Sequence, residues 1–156
     1  FLKYAIEKIN KNCQYSAVDI SKTSLNLTKK IIYYFFKNTS LNIKFLNDDI
    51  INLDDTNKFD YISMGEVLEH VNNPEGLLLK LRGLLNNKGK AFISTCANCP
   101  TIDHVYHFKK IDEINRMIKD SGLLILDEKI IPSENLPMNE IIDKKLAINY
   151  SCIVTK

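Results

Sequence analysis

FDYISMGEVLEHV, Phe59 to Val71, is the stretch on which the reading of this chain turns. Its first half, Phe59-Asp60-Tyr61-Ile62-Ser63, is rich in aromatic and β-branched residues and reads as a strand. A turn is expected at Met64-Gly65. Glu66, Glu69 and His70 follow within one short loop. Asn73-Pro74 then signals a helix start, with proline at the first helical position. In an open α/β sheet, ligands sit at the carboxyl ends of strands. Polar residues gathered there therefore point to chemistry.

Outward from this stretch, strand and helix patterns alternate. Upstream, Phe1 to Asn12 carries apolar residues at helical spacing, and Tyr15 to Ile20 reads as a short buried strand ending in Asp19. Ser21 can cap a helix whose apolar face is Leu25, Thr28, Ile32, Phe35 and Phe36. Leu41 to Leu46 is the next strand, followed by Asn47-Asp48-Asp49.

Downstream, Pro74 to Leu85 is a helix with Leu77, Leu78, Leu81, Leu84 and Leu85 inward. A turn at Lys88-Gly89 leads into a strand from Lys90 to Thr95. The segment from Cys96 to Phe108 is irregular and polar. Lys110 to Ser121 is a helix stopped by Gly122. Strands follow at Leu123 to Ile131 and Lys145 to Thr155, with a loop or short helix at Pro132 to Lys144. Alternation of this kind predicts an α/β fold with a doubly wound, mostly parallel sheet. The last two strands lack a long helix between them, so an antiparallel hairpin is expected at the C-terminal edge.

The chain has 156 residues, enough for one domain with a real core. Its formal net charge of +2 is too small to argue for nucleic acid or a membrane surface. No apolar run is long enough to span a bilayer, and no secretory signal is visible, so a cytoplasmic location is the default expectation. Cys96-Ala97-Asn98-Cys99 is a C-x-x-C, a spacing used by zinc and redox sites. No second C-x-x-C completes a zinc set, so the pair and the remaining Cys13 and Cys152 are read as reduced, incidental thiols.

The string Glu66-Val67-Leu68-Glu69-His70-Val71, placed after a strand, resembles the fourth strand and following loop of class I S-adenosylmethionine-dependent methyltransferases. It is most similar to the branch that includes the ubiquinone-biosynthesis O-methyltransferases. The resemblance implies a Rossmann-like fold, S-adenosylmethionine as cofactor and a small-molecule methyl acceptor. It implies neither nucleic acid nor membrane as partner and leaves the oligomeric state open.

The resemblance also assigns residues. Asp19, with Ile20 beside it, would accept hydrogen bonds from the cofactor's ribose, as the carboxylate after a second strand does in dinucleotide folds. The competing reading makes Asp19 a helix N-terminal charge. Asp49, or Asp48 in its place, would meet the adenine amino group, and Ile50 would pack on the ring. Against this, Asp is common in turns after strands. Met64, Gly65 and Glu66 would line the cofactor after the fourth strand.

His70, His104 and His107 are the candidates at the acceptor. His70 suits a general base at neutral pH. If Glu66 began a helical turn, Glu66 and His70 would share a face. Glu66, Glu69 and His70 would then form a site for a divalent metal, the alternative being a metal-dependent O-methyltransferase. A further alternative is a degenerate, non-catalytic domain of the same fold.

One family feature is missing. The family places a glycine-rich turn after its first strand so that the backbone can approach the cofactor. All five glycines lie at Gly65 or later. The expectation is an N-terminally incomplete methyltransferase domain over residues 1–156, its first strand missing upstream of Phe1. The sheet would be split, because that strand is normally central.

Overall fold

The computed structural model describes residues 1–9 and 13–156. They form two compact units, Phe1–Leu53 and Asp54–Lys156. The C-terminal end of the expected first helix, Asn10 to Asn12, lies outside the described residues.

The first unit holds α1 (Leu2–Lys8), β1 (Gln14–Val18), α2 (Lys22–Phe35) and β2 (Asn42–Leu46), with a short 3-10 turn at Ile50–Asn52. β1 and β2 pair in parallel, from Gln14 opposite Asn42 to Val18 opposite Leu46. A parallel pair requires a crossover, and α2 is that crossover. It starts where Ser21 Oγ accepts the Ser24 N–H, the cap expected from sequence.

Ile6, Ile32 and Phe36 form this unit's buried cluster, with Leu2, Tyr15, Leu41, Ile43 and Phe45 packed against it. Phe35 departs from the expected apolar face and is 53% exposed. Leu25, Ile32 and Phe36 lie on one stripe at spacings of seven and four, and Phe35 falls one position, about 100°, off it. The Lys3 ammonium covers the Phe35 ring instead, 4.5 Å from its centroid.

The second unit holds β3 (Phe59–Gly65), a 3-10 turn at Leu68–His70, α3 (Pro74–Leu84), β4 (Leu85–Ala97), α4 (Ile111–Asp120), β5 (Leu124–Pro132), α5 (Met138–Asp143) and β6 (Ile148–Thr155). Its sheet runs β3-β4-β6-β5. β3 and β4 are parallel across the α3 crossover, and β6 pairs antiparallel with both β4 and β5. The expected C-terminal antiparallel hairpin is thus present, and the described strands fall into two sheets.

Two boundaries differ from expectation. β3 does not turn at Met64-Gly65 but runs through both, with Met64 opposite Ile93 and Gly65 opposite Ser94. The chain turns one residue later, at Glu66, which takes the left-handed φ of 52°. β4 begins at Leu85, and the expected turn at Lys88-Gly89 is an irregularity within it. Lys88 has φ 67°, and a Cβ on Gly89 would lie 3.0 Å from the Phe59 carbonyl oxygen. A side chain at this position would press on the backbone of β3.

Burial follows sequence period. In β6, Ile148, Tyr150, Cys152 and Val154 are buried and alternate with more exposed residues. In α3, Leu77, Leu78, Leu81 and Leu84 are buried, as the spacing predicts.

Candidate active site

In the first unit, the candidate cofactor residues gather at the carboxyl ends of β1 and β2. The Asp19 N–H donates to the Leu46 carbonyl oxygen at 3.2 Å, extending the parallel ladder by one residue. Asn47 then clamps the two strand ends together. Its amide nitrogen donates to the carbonyl oxygens of Asp19 and Ile20, each at 2.9 Å. Asn47 has no assigned role in the sequence reading, although it sits directly before Asp48.

The carboxylates here also serve local structure. Asp19 Oδ1 accepts the Ser21 N–H at 2.8 Å, at the start of α2. Its second oxygen has no hydrogen bond among the described residues. Asp48 Oδ1 accepts from the Asp49 N–H and the Asn52 side chain, at 2.8 and 2.9 Å. Asp49 Oδ1 caps the Ile50–Asn52 turn through the Ile51 N–H at 3.1 Å. Ile50 opens that turn. Each carboxylate is oriented by the backbone through one oxygen and has capacity left on the other.

In the second unit, the loop after β3 is built onto β4. Glu66 is tied back to β4: its N–H donates to the Ser94 carbonyl at 2.9 Å, and its Oε1 accepts the Ser94 hydroxyl at 2.6 Å. The helical turn starts after Glu66, at Leu68–His70, so Glu66 and His70 do not share a helical face. Glu69 is 1% exposed. Its Oε2 accepts the Thr95 hydroxyl at 2.8 Å, whereas its Oε1 is buried without a hydrogen-bond partner. Burial pushes this carboxyl above the usual range, and the neighbouring Glu66 charge adds to the shift.

Glu69 also anchors the loop after β4. Its carbonyl oxygen accepts the N–H groups of Val105 and Tyr106, at 2.8 and 2.9 Å. The Asn98 N–H donates to the Phe108 carbonyl at 2.8 Å and closes the loop's base. This folding brings the three histidines together. The rings of His70 and His104 meet edge to face with centroids 5.0 Å apart, and His107 lies 6.4 Å from His104.

His70 Nδ1 lies 2.8 Å from the Asp103 carbonyl oxygen. A carbonyl only accepts, so Nδ1 carries the proton, and in the neutral ring Nε2 keeps its lone pair. The Asp103 carboxyl is held below its usual range, first by the Thr101 hydroxyl. Tyr106 donates to Glu113 Oε1 at 3.3 Å, and its ring packs on Phe108 at 4.7 Å between centroids.

The donor groups do not converge as the sequence suggests. Glu66, Glu69 and His70 do not make one tight set among the described residues. Three other sets do, each with its ligand atoms within 4.8 Å of one another: Glu69, His70 and His104; Glu66, Glu69 and Cys96; and Cys96, Cys99 and His104. Spacing along the chain cannot show the two sets that include Glu69, because they join separate segments; of the third it shows the C-x-x-C but not His104. Burial, with Cys99 beside it, pushes the Cys96 thiol up to about 12. No helix among the described residues is long and apolar enough to cross a membrane.

Residues 1–91, more than half of the chain, match the sequence profile of the family described as Methyltransferase domain. A ubiquinone biosynthesis O-methyltransferase from Glaesserella parasuis serovar 5 (strain SH0165) is 51% identical over 41 residues, 26% of this chain and 17% of that protein. A Haemonchus contortus phosphoethanolamine N-methyltransferase 2, solved with S-adenosyl-L-methionine, superposes with TM-score 0.72 at 13% identity, covering 99% of this chain and 45% of that one. The [4+2]-cyclase SpnF superposes with TM-score 0.71 at 12% identity, covering 92% of this chain and 66% of that one.

The chain thus spans less than half of the first two proteins and about two thirds of the third. Such distant structural likeness shows the fold alone, and the presence of a cyclase shows that the fold does not fix the reaction. The profile match decides the family: this chain belongs to the methyltransferase-domain family, within the class I S-adenosylmethionine-dependent methyltransferases.

Proposed function

We propose that the protein carrying this chain transfers a methyl group from S-adenosylmethionine to an oxygen or nitrogen of a small metabolite. The observation that carries this reading is His70, set just past the carboxyl end of β3 with Nδ1 pinned by the Asp103 carbonyl and Nε2 left as a base. When bound, the cofactor supplies an electrophilic methyl on a sulfonium.

The chain's own residues divide the remaining work. Asp19, already oriented through Oδ1, offers its other oxygen to the ribose hydroxyls. Asp49, with Asp48 as the alternative, accepts from the adenine amino group, and Ile50 packs on the ring. Met64, Gly65 and Glu66 line the cofactor. His70 takes the proton of an acceptor hydroxyl through Nε2, and His104 and His107 border the acceptor. Alignment of the acceptor atom about 3–3.5 Å from the methyl carbon would supply much of the acceleration.

Calorimetric titration with S-adenosylhomocysteine tests the cofactor assignment. Asp19→Ala is expected to weaken binding about 10- to 100-fold, the equivalent of losing roughly 1.5–3 kcal/mol of charged hydrogen bonding. Unchanged affinity in a folded Asp19→Ala protein would overturn it.

A second reading rests on Glu69, His70 and His104, whose donor atoms lie within 4.8 Å of one another. There a divalent cation would hold the acceptor oxygen, as in a metal-dependent O-methyltransferase. Methyl transfer that survives EDTA excludes it.

A further inference from the structure

The C-x-x-C of Cys96 and Cys99 lacks a second cysteine pair in sequence, but the fold supplies a different third donor. We propose that Cys96, Cys99 and His104 bind one zinc ion, at a site that shares His104 alone with the methyl-transfer reading. The three ligand atoms lie within 4.8 Å of one another. Two sulfurs bound to one tetrahedral zinc are about 3.8 Å apart, from a zinc–sulfur distance of about 2.3 Å. Closure therefore needs shifts of no more than about 1 Å. Cys96 is buried at the end of β4, whereas Cys99 and His104 are half-buried loop residues with room to make such a shift.

The donor chemistry selects the metal. Two thiolates and an imidazole suit zinc, while magnesium and calcium prefer oxygen. Three protein ligands leave a fourth position for an exchangeable solvent molecule, the arrangement of reactive rather than purely structural zinc sites. Binding forms two zinc–sulfur bonds and one zinc–nitrogen bond. It releases the two thiol protons to solvent, with no change in oxidation state. The charges of the two thiolates balance the dication.

A second observation points to the same place. Glu69 is 1% exposed, and its Oε1 has no hydrogen-bond partner. Its carboxylate lies within 4.8 Å of Cys96 in one donor set and of His104 in another. A buried carboxylate oxygen without a partner is costly. A cation held by Cys96, Cys99 and His104 would place a positive charge beside this carboxyl group, with the fourth zinc position still left to solvent. The loop geometry that places these donors is itself held by Glu69, whose carbonyl accepts the two N–H groups following His104. With zinc bound, His104 is a ligand, and His70 and His107 remain free at the acceptor.

The test is titration of the full chain, fully reduced, with Co²⁺ as a spectroscopic stand-in, followed by displacement with Zn²⁺. The expected result is one equivalent bound, with a thiolate-to-cobalt charge-transfer band in the near ultraviolet that zinc abolishes. Cys99→Ser and His104→Ala are each expected to weaken zinc binding by about 100-fold or more, beyond the 10- to 100-fold typical of losing an outer-shell partner. Absence of the thiolate band in the unaltered chain overturns the proposal, whether or not either variant folds. So does a band of undiminished intensity in Cys99→Ser, where one of the two thiolates is gone. Binding of Mg²⁺ in preference to Zn²⁺ also overturns it, because a set with two thiolates does not select that ion.

Discussion

At the scale of single residues, His70 shows how a backbone carbonyl can set the chemistry of an imidazole. Because Nδ1 donates to Asp103, the base nitrogen is Nε2. His70→Gln is therefore expected to lower kcat about 10²- to 10⁴-fold, the range for a lost general base, with KM changed little. Steady-state kinetics on an acceptor that the protein methylates would show it. A kcat within a few-fold of the unaltered protein would reduce His70 to a packing role.

Cys152 gives a residue-scale prediction about stability. It is 2% exposed in β6, and burial pushes its thiol from the usual 9.0 up to about 11. The folded chain thus holds the proton more tightly than the unfolded chain. The stability this contributes is fully present below pH 9 and is lost as the pH rises through about 11. Two pH units correspond to about 2–3 kcal/mol. Urea unfolding under reducing conditions should show this alkaline loss in the unaltered chain but not in Cys152→Ala, which carries only a constant packing penalty. Parallel pH profiles for the two proteins would refute it.

At the scale of elements, the helix ends are where local chemistry and observed structure agree best. Ser21 caps α2, and Asn73 caps α3 by accepting the Gly76 N–H at 2.9 Å. Gly122 ends α4 with φ +78°, and a Cβ there would meet Arg82 Nε at 3.0 Å. That arginine donates to the Gly122 carbonyl at 3.2 Å. Gly122→Ala is expected to cost about 1 kcal/mol or more, from backbone strain and a displaced Arg82. A chemical denaturation midpoint unchanged from the unaltered chain would contradict this.

At the scale of the whole molecule, the two sheets differ in kind. β4 has neighbours on both sides, β3 and β6, and much of its inner face is fully buried. The β1–β2 sheet has two strands, and none of the described residues in either strand is fully buried. Two-stranded sheets are marginal by themselves, and local stability follows burial. Native-state hydrogen exchange should therefore find the β4 and β6 amides protected to the global unfolding energy. Those of β1 and β2 should exchange through smaller openings. Equal protection in both sheets would show that the chain unfolds as one cooperative body.

The alternation of elements, both helix caps, the stop at Gly122 and the strand-end carboxylates were legible in the sequence. Each depends on residues within a few positions of one another, through period, capping or turn chemistry. The exposure of Phe35 and the one-residue shift of the β3 turn were not, because small rotations and registers depend on packing partners. The tertiary structure alone decided the clamp from Asn47, the unpartnered oxygen of Glu69, the tautomer of His70 and the approach of His104 to Glu69 and His70. Each of these joins segments that the chain separates but hydrogen bonds across loops bring together. No periodicity or short motif encodes such contacts.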